Sequence, residues 1–172
     1  MAVIKLGDAG WRRIDDAWQP IDRVTDLEDG RPALVSLDLW QEARARLGDH
    51  NAPLGLRLAS HQSPALVVAD LARFSLVALD FPRFVDGRAY SYARLLQERF
   101  AFKGEIRAVG NVLFDQLYLM QRCGFSALEI QDDKVQAWLA AFSEPSFSYQ
   151  PTGDRRIPVW ELRRQRRVAA AE

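Results

Sequence analysis

Cysteine is almost missing from this sequence. Cys123 is the single thiol among 172 residues, which excludes an internal disulfide framework and, taken alone, cannot ligate an iron–sulfur cluster or a structural zinc. Its place between Met120 and Gly124 reads as a buried, inert thiol. Lysine is scarce too: Lys5, Lys103 and Lys134 stand against twenty arginines. No apolar run approaches the roughly eighteen residues of a membrane span. No basic segment followed by an apolar stretch opens the chain, so a cytoplasmic protein with no membrane partner is expected. Nucleic acid is not an expected partner either. The 23 basic side chains balance 23 acidic ones, and aromatic residues are too thinly interleaved with basic ones for a stacking platform.

Chemical motifs are missing as well. There is no G-x-G-x-x-G after a strand, no Walker loop, no C-x-x-C, no H-E-x-x-H and no G-x-S-x-G. No metal site and no cofactor are evident. That weighs against a self-contained redox enzyme and leaves open a flavin or nicotinamide that dissociates.

What is present suits one domain over 1–172, with 48% hydrophobic and 27% charged side chains and a length that buries about two-thirds of the unfolded surface. Residues 1–32 read as a hairpin and an acidic connection: Ala2–Leu6 and Trp11–Ile14 flank Gly7-Asp8-Ala9-Gly10, and six acids follow up to Gly30-Arg31-Pro32. Residues 33–142 form an α/β core. Short apolar runs at Ala33–Leu37, Leu54–Ala59, Leu76–Phe81, Glu105–Val109 and Ala127–Ile130 each precede a segment of helical spacing. Ser63-Pro64 signals one helix start, Gly124 a helix end, and Asp132 or Asp133 a cap for the last helix, whose stripe is Val135, Trp138, Leu139 and Phe142. Five strand–helix units predict a parallel sheet with right-handed crossovers. Residues 143–172 are a C-terminal extension with a strand expected at Pro158–Leu162 and an arginine-rich tail, either solvated or docked on an acidic partner or a second copy.

Parallel strands covered on both faces usually read as unbroken apolar runs. Here each carries one charge, in the order Asp38, Arg57, Asp80, Arg107, Glu129. Strands lying in sequence order would set opposite signs side by side, whereas a flavodoxin-like order would bring Asp38 against Asp80. The pattern favours a half-barrel-like order, unless the charges simply sit at solvated strand ends.

Ligands of such sheets collect at the carboxyl ends of the strands. The loops expected there are Ser60–Ser63, Phe81–Arg88 and Gly110–Val112. Arg83 and Arg88 flank Asp86-Gly87, where a tight turn into a helix with two arginines would suit a small oxyanion. The plainer alternative is that Asp86 only caps the helix and the arginines are solvated. His61 at a strand end is a weak acid–base candidate. Asp115 and Gln116 open a helix, where either could face the mouth and Asp115 equally complements the helix dipole.

Two runs carry a family resemblance. Asp80-Phe81-Pro82-Arg83-Phe84-Val85-Asp86-Gly87-Arg88-Ala89-Tyr90-Ser91 is the first. Gly104-Glu105-Ile106-Arg107-Ala108-Val109-Gly110-Asn111-Val112-Leu113-Phe114-Asp115-Gln116, continued by Arg122-Cys123-Gly124-Phe125, is the second. Over about Leu34 to Phe142 the chain resembles the bacterial family called domain of unknown function 934, which is associated with assimilatory sulfite reductase and labelled as oxidoreductases of that pathway. The family pattern commonly has Gly where Ala89 stands and Asp where Asn111 stands, so position 111 is not expected to be a catalytic acid.

The resemblance implies an accessory protein of assimilatory sulfite or sulfate reduction that binds a small oxyanion or the sulfite reductase itself. Arg57, Arg83, Arg88 and Arg107 would hold the anion or partner carboxylates, Asp80 and Asp86 would orient them, and Gly87, Asn111 and Gln116 would complete the site. Two alternatives stand beside it. One is a small oxidoreductase with a dissociable cofactor, and the other is a non-catalytic domain that dimerises for structural purposes.

Overall fold

A computed structural model describes residues 1–141, 148–149, 151 and 156–169. Eight strands form one sheet: β1 (Ala2–Gly7), β2 (Gly10–Ile14), β3 (Gln19–Ile21), β4 (Ala33–Ser36), β5 (Leu54–Leu58), β6 (Phe74–Phe81), β7 (Glu105–Gly110) and β8 (Ala127–Ile130). Their spatial order is β2-β1-β8-β7-β6-β5-β4-β3. Strands β3 to β8 are parallel and lie in sequence order, which is the half-barrel order rather than the flavodoxin-like one. The sheet is nevertheless mixed. The N-terminal hairpin adds β1 antiparallel to β8, and β2 antiparallel to β1.

The connection from β2 to β3 reveals how far the sheet curls. Those strands are the two edges, and only Asp15–Trp18 join them. In a flat sheet the edges would stand about 34 Å apart, seven gaps of about 4.8 Å. Five Cα steps reach at most about 18 Å. The sheet must therefore curl until its edges approach, and residues 15–18 form a strap across the concave face. Trp18 packs there with Leu34, Leu76, Ala78 and Val109. Gly55 makes room beneath it, since a Cβ at that position would lie 3.1 Å from the Trp18 ring, 3.0 Å from Leu34 and 2.8 Å from Leu76.

Helices cover the other face, and the main core lies between them and the sheet. Helix α1 (Leu37–Gly48) starts where Ser36 Oγ accepts from the Leu39 N–H at 3.1 Å. Helix α2 (Arg88–Arg94) runs on into a π turn at Leu95–Arg99. Helix α3 (Leu117–Cys123) ends on Gly124, whose φ of 103° is the left-handed value expected of a C-terminal glycine. Helix α4 (Val135–Ala141) and helix α5 (Val159–Ala169) follow. Cys123 is buried.

Several sequence expectations are corrected. Pro158–Leu162 is no strand: Pro158 sets up α5, with the Glu161 and Leu162 N–H groups donating to its carbonyl. Good helix formers follow it, and proline suits the first turn. The five α/β units are not uniform. The segment after β5 is a run of 3-10 turns at Pro64–Arg73, broken where Val67 leaves helical geometry, although Ser63 caps it as expected. Asp132 and Asp133 do not cap α4; Asp132 instead accepts from Arg13 at 2.9 Å. Asp38 lies in the first turn of α1 because the Ser36 cap ends β4 early. Phe142, Asp154, Arg155 and Glu172 lie outside the described residues. Among the described residues, no helix is long and apolar enough to cross a membrane.

Candidate functional site

The parallel strands end together at one rim, and the loops after β5, β6, β7 and β8 form it. The predicted alternating ladder of charges is realised at one step, where Arg57 on β5 donates to Asp80 on β6 at 3.2 Å. Register explains why it goes no further. Arg57 and Arg107 both pair with Ala78, so the two cations lie at one level on the concave face with a small residue between them. They diverge to separate carboxylates.

Arg107 turns towards the opposite end of the strands. It is only 1% exposed. Its Nε donates to Glu105 at 2.8 Å and its Nη1 to Asp16 of the strap at 2.9 Å. Its Nη2 lies 2.7 Å from Glu105, close enough for an ion pair but out of line for a hydrogen bond. Lys5 holds the second Glu105 oxygen at 2.6 Å. Arg107 is thus a buried group that ties the strap to the sheet.

After β6, Arg88 forks onto Asp86, with Nε–Oδ1 at 2.9 Å and Nη2–Oδ2 at 2.7 Å, and also donates to Ser60 at 3.0 Å. Hydrogen bonds from Arg88 hold the Asp86 carboxyl well below the usual carboxylate range, against an opposing desolvation effect and helped by Ser60. Gly87 precedes α2 without a side-chain cap, and Asp86 accepts from the Arg88 N–H at 3.3 Å. Arg83 in the same loop is exposed and has no ion-pair partner among the described residues. Phe84 and Val85 beside it are 49% and 82% exposed.

The remaining sequence candidates separate. His61 is exposed after β5 and has no hydrogen bond to Asp115 among the described residues. Gln116 is buried and turns back on its own helix start, accepting from the Leu113 N–H at 3.2 Å. Asp115 is exposed. Asn111 follows Gly110, whose φ of 91° and crowding by the Phe81 carbonyl, 2.6 Å from any added Cβ, require glycine. Asn111 lines a cavity of about 290 Å³ together with Glu129, Gln131, Lys134 and Trp138. Sequence reasoning noticed Glu129 as a charge on a strand but did not place it, Gln131, Lys134 or Trp138 in a site. Their only common signal is that each follows or ends β8 at the rim.

These features define an α/β half-barrel protein whose carboxyl rim carries the Arg57–Asp80 and Arg88–Asp86 pairs and the cavity beside Asn111. Its family is equally definite: the model described as "Bacterial protein of unknown function (DUF934)" matches residues 55–160, and the chain belongs to that family. The matched segment runs from β5 to the beginning of α5 and contains the whole rim from Ser60 to Trp138. No curated protein and no solved structure matches the chain.

Proposed function

We propose that the protein is an accessory factor of assimilatory sulfite reduction that acts by docking on the sulfite reductase through the loop 82–87. The pathway is what the family resemblance implies. The observation that supports docking over capture of a free oxyanion is the way the arginines of this loop are used. Arg88 is spent on Asp86 and Ser60, and Arg57 on Asp80. Arg83 remains available, beside two apolar side chains that stand in water. A lone arginine flanked by exposed aromatic and aliphatic groups fits an acidic, partly apolar protein surface, where arginine and aromatic side chains act as anchors. A compact anion would need several converging donors instead.

The test is affinity capture of the organism's own assimilatory sulfite reductase by the tagged protein, followed by titration of the purified pair. Association is expected, and Arg83→Glu should weaken it about tenfold or more, as for an anchor worth roughly 1.4 kcal/mol or above. Failure of the purified proteins to associate at micromolar concentrations refutes the proposal. So does a flavin or haem absorbance retained by the protein alone, which would instead favour the oxidoreductase reading.

A further inference from the structure

We infer that the cavity at the ends of β7 and β8 is a binding site for a free α-amino acid with an uncharged side chain. The polar side chains of the rim fall into two sets. Apart from the exposed Arg83 and His61, those around β5 and β6 are mutually satisfied: Arg57 with Asp80, Arg88 with Asp86 and Ser60, and Gln62 with Asp38 and the Ala59 N–H. Those around the cavity are not. Asn111, Glu129, Gln131 and Lys134 line it, and none has a side-chain hydrogen bond or ion pair among the described residues. Glu129 is the telling member. It is half-buried on a strand, a place where an unmatched carboxylate is costly unless something meets it.

The composition of the wall selects the ligand. The lining carries one carboxylate, Glu129, and one side-chain ammonium, Lys134, while the Met1 N-terminal ammonium beside them is held by Asp132 at 3.3 Å. The pair matches a small molecule carrying both signs, with Glu129 receiving an ammonium and Lys134 a carboxylate. Asn111 and Gln131 can each donate and accept, and so complete the shell of either group. The rest of the wall is apolar, with Phe114 set edge-on to Trp138 at 5.6 Å between ring centres. That surface suits an uncharged side chain. A volume of about 290 Å³ lies at the lower end for ligand sites, which favours an amino acid over a peptide or a nucleotide. The position agrees as well, since it is the carboxyl rim of neighbouring parallel strands and Gly110 turns the backbone sharply there.

The site can be tested without the reductase. The full chain is screened by thermal shift against the individual uncharged amino acids, and any hit is measured by calorimetry on the wild type, Glu129→Gln and Lys134→Met. At least one amino acid is expected to raise the melting temperature in a concentration-dependent way. Its Kd should rise about tenfold or more in either variant, the loss expected of one charge-assisted contact. The amine lacking the carboxylate and the acid lacking the ammonium should both bind more weakly than the parent. The inference is overturned if no amino acid shifts the melting curve, if both variants bind like the wild type, or if the amine alone binds as well as the amino acid. Circular dichroism of each variant shows that a loss is not unfolding.

Discussion

Replacing Arg107 by leucine removes the group that joins the strap to the sheet, and the structure allows the cost to be worked out. Arg107 is 1% exposed, and Glu105 beside it keeps only 8% of its side chain in solvent. Truncating one member of such a buried pair typically costs about 3–5 kcal/mol, because the surviving charge is left behind without its partner. Two details place Arg107→Leu near about 3 kcal/mol on that scale. Lys5 still meets Glu105 at 2.6 Å, and Asp16 is one-third exposed and can turn to water. For a chain of this size 1 kcal/mol moves Tm by about 2–4 °C, so a drop of about 6–12 °C is expected. Equilibrium unfolding in urea, followed by tryptophan fluorescence, measures the free energy directly, and Trp18 in the strap reports on the same region. The double variant Arg107→Leu/Glu105→Leu is the sharper measurement. With both buried charges gone, Lys5 can extend to solvent, and stability should return to within about 1 kcal/mol of wild type. An Arg107→Leu protein as stable as the wild type, or a double variant no better than the single one, would refute the reasoning.

Two further outcomes concern ionisation. Burial, more than the nearby Cys123 and Asp115, pushes the Tyr90 phenol up to about 12, so in a spectrophotometric titration one of the four tyrosines should ionise late. The neutral form is the one the fold favours, so this contribution is present below the ordinary tyrosine value near 10 and lost as pH rises through about 12. Tyr90→Phe should abolish the late phase and leave stability at neutral pH unchanged or slightly higher, because the hydroxyl is buried without a hydrogen-bond partner; a clear loss would contradict that. Asp86 is depressed by its Arg88 fork, so its contribution is present above the unfolded value near 3.9 and fades as pH falls through the lower folded value. The Tm difference between wild type and Asp86→Asn should therefore be widest near neutrality and shrink toward pH about 2. A gap that stays constant across that range would argue against the linkage.

Strand positions were legible because apolar runs and turn residues are local signals, and all five core strands fall where the runs place them. The hairpin was legible for the same reason, with Gly7 and Gly10 directly paired around a two-residue turn. What escaped was pairing over long separations. Nothing near Ala2 announces that its partner is Ile130. Asp16 and Trp18 read as part of an acidic connection, because their meaning lies in Arg107 and Gly55. The charge ladder failed for a related reason. A residue's strand can be read from sequence, but its level on that strand depends on register, which put Arg57 and Arg107 side by side. The arginine loop after β6 was legible in position. Which of its arginines would be spent internally depended on Ser60, a residue from another loop.

The placement of β1 has a consequence for the order in which the chain can fold. Its outer neighbour β2 follows at once, but its inner neighbour β8 begins at Ala127. During synthesis the hairpin emerges before the sheet it joins, and 112 residues separate Ile14 from Ala127. Contacts that close so long a loop are slow to form and are characteristic of slow-folding topologies. The strap shortens the search, because it tethers the hairpin within a few residues of β3, whose sequential partners can assemble as they emerge. The last strand then docks beside a hairpin that is already held close.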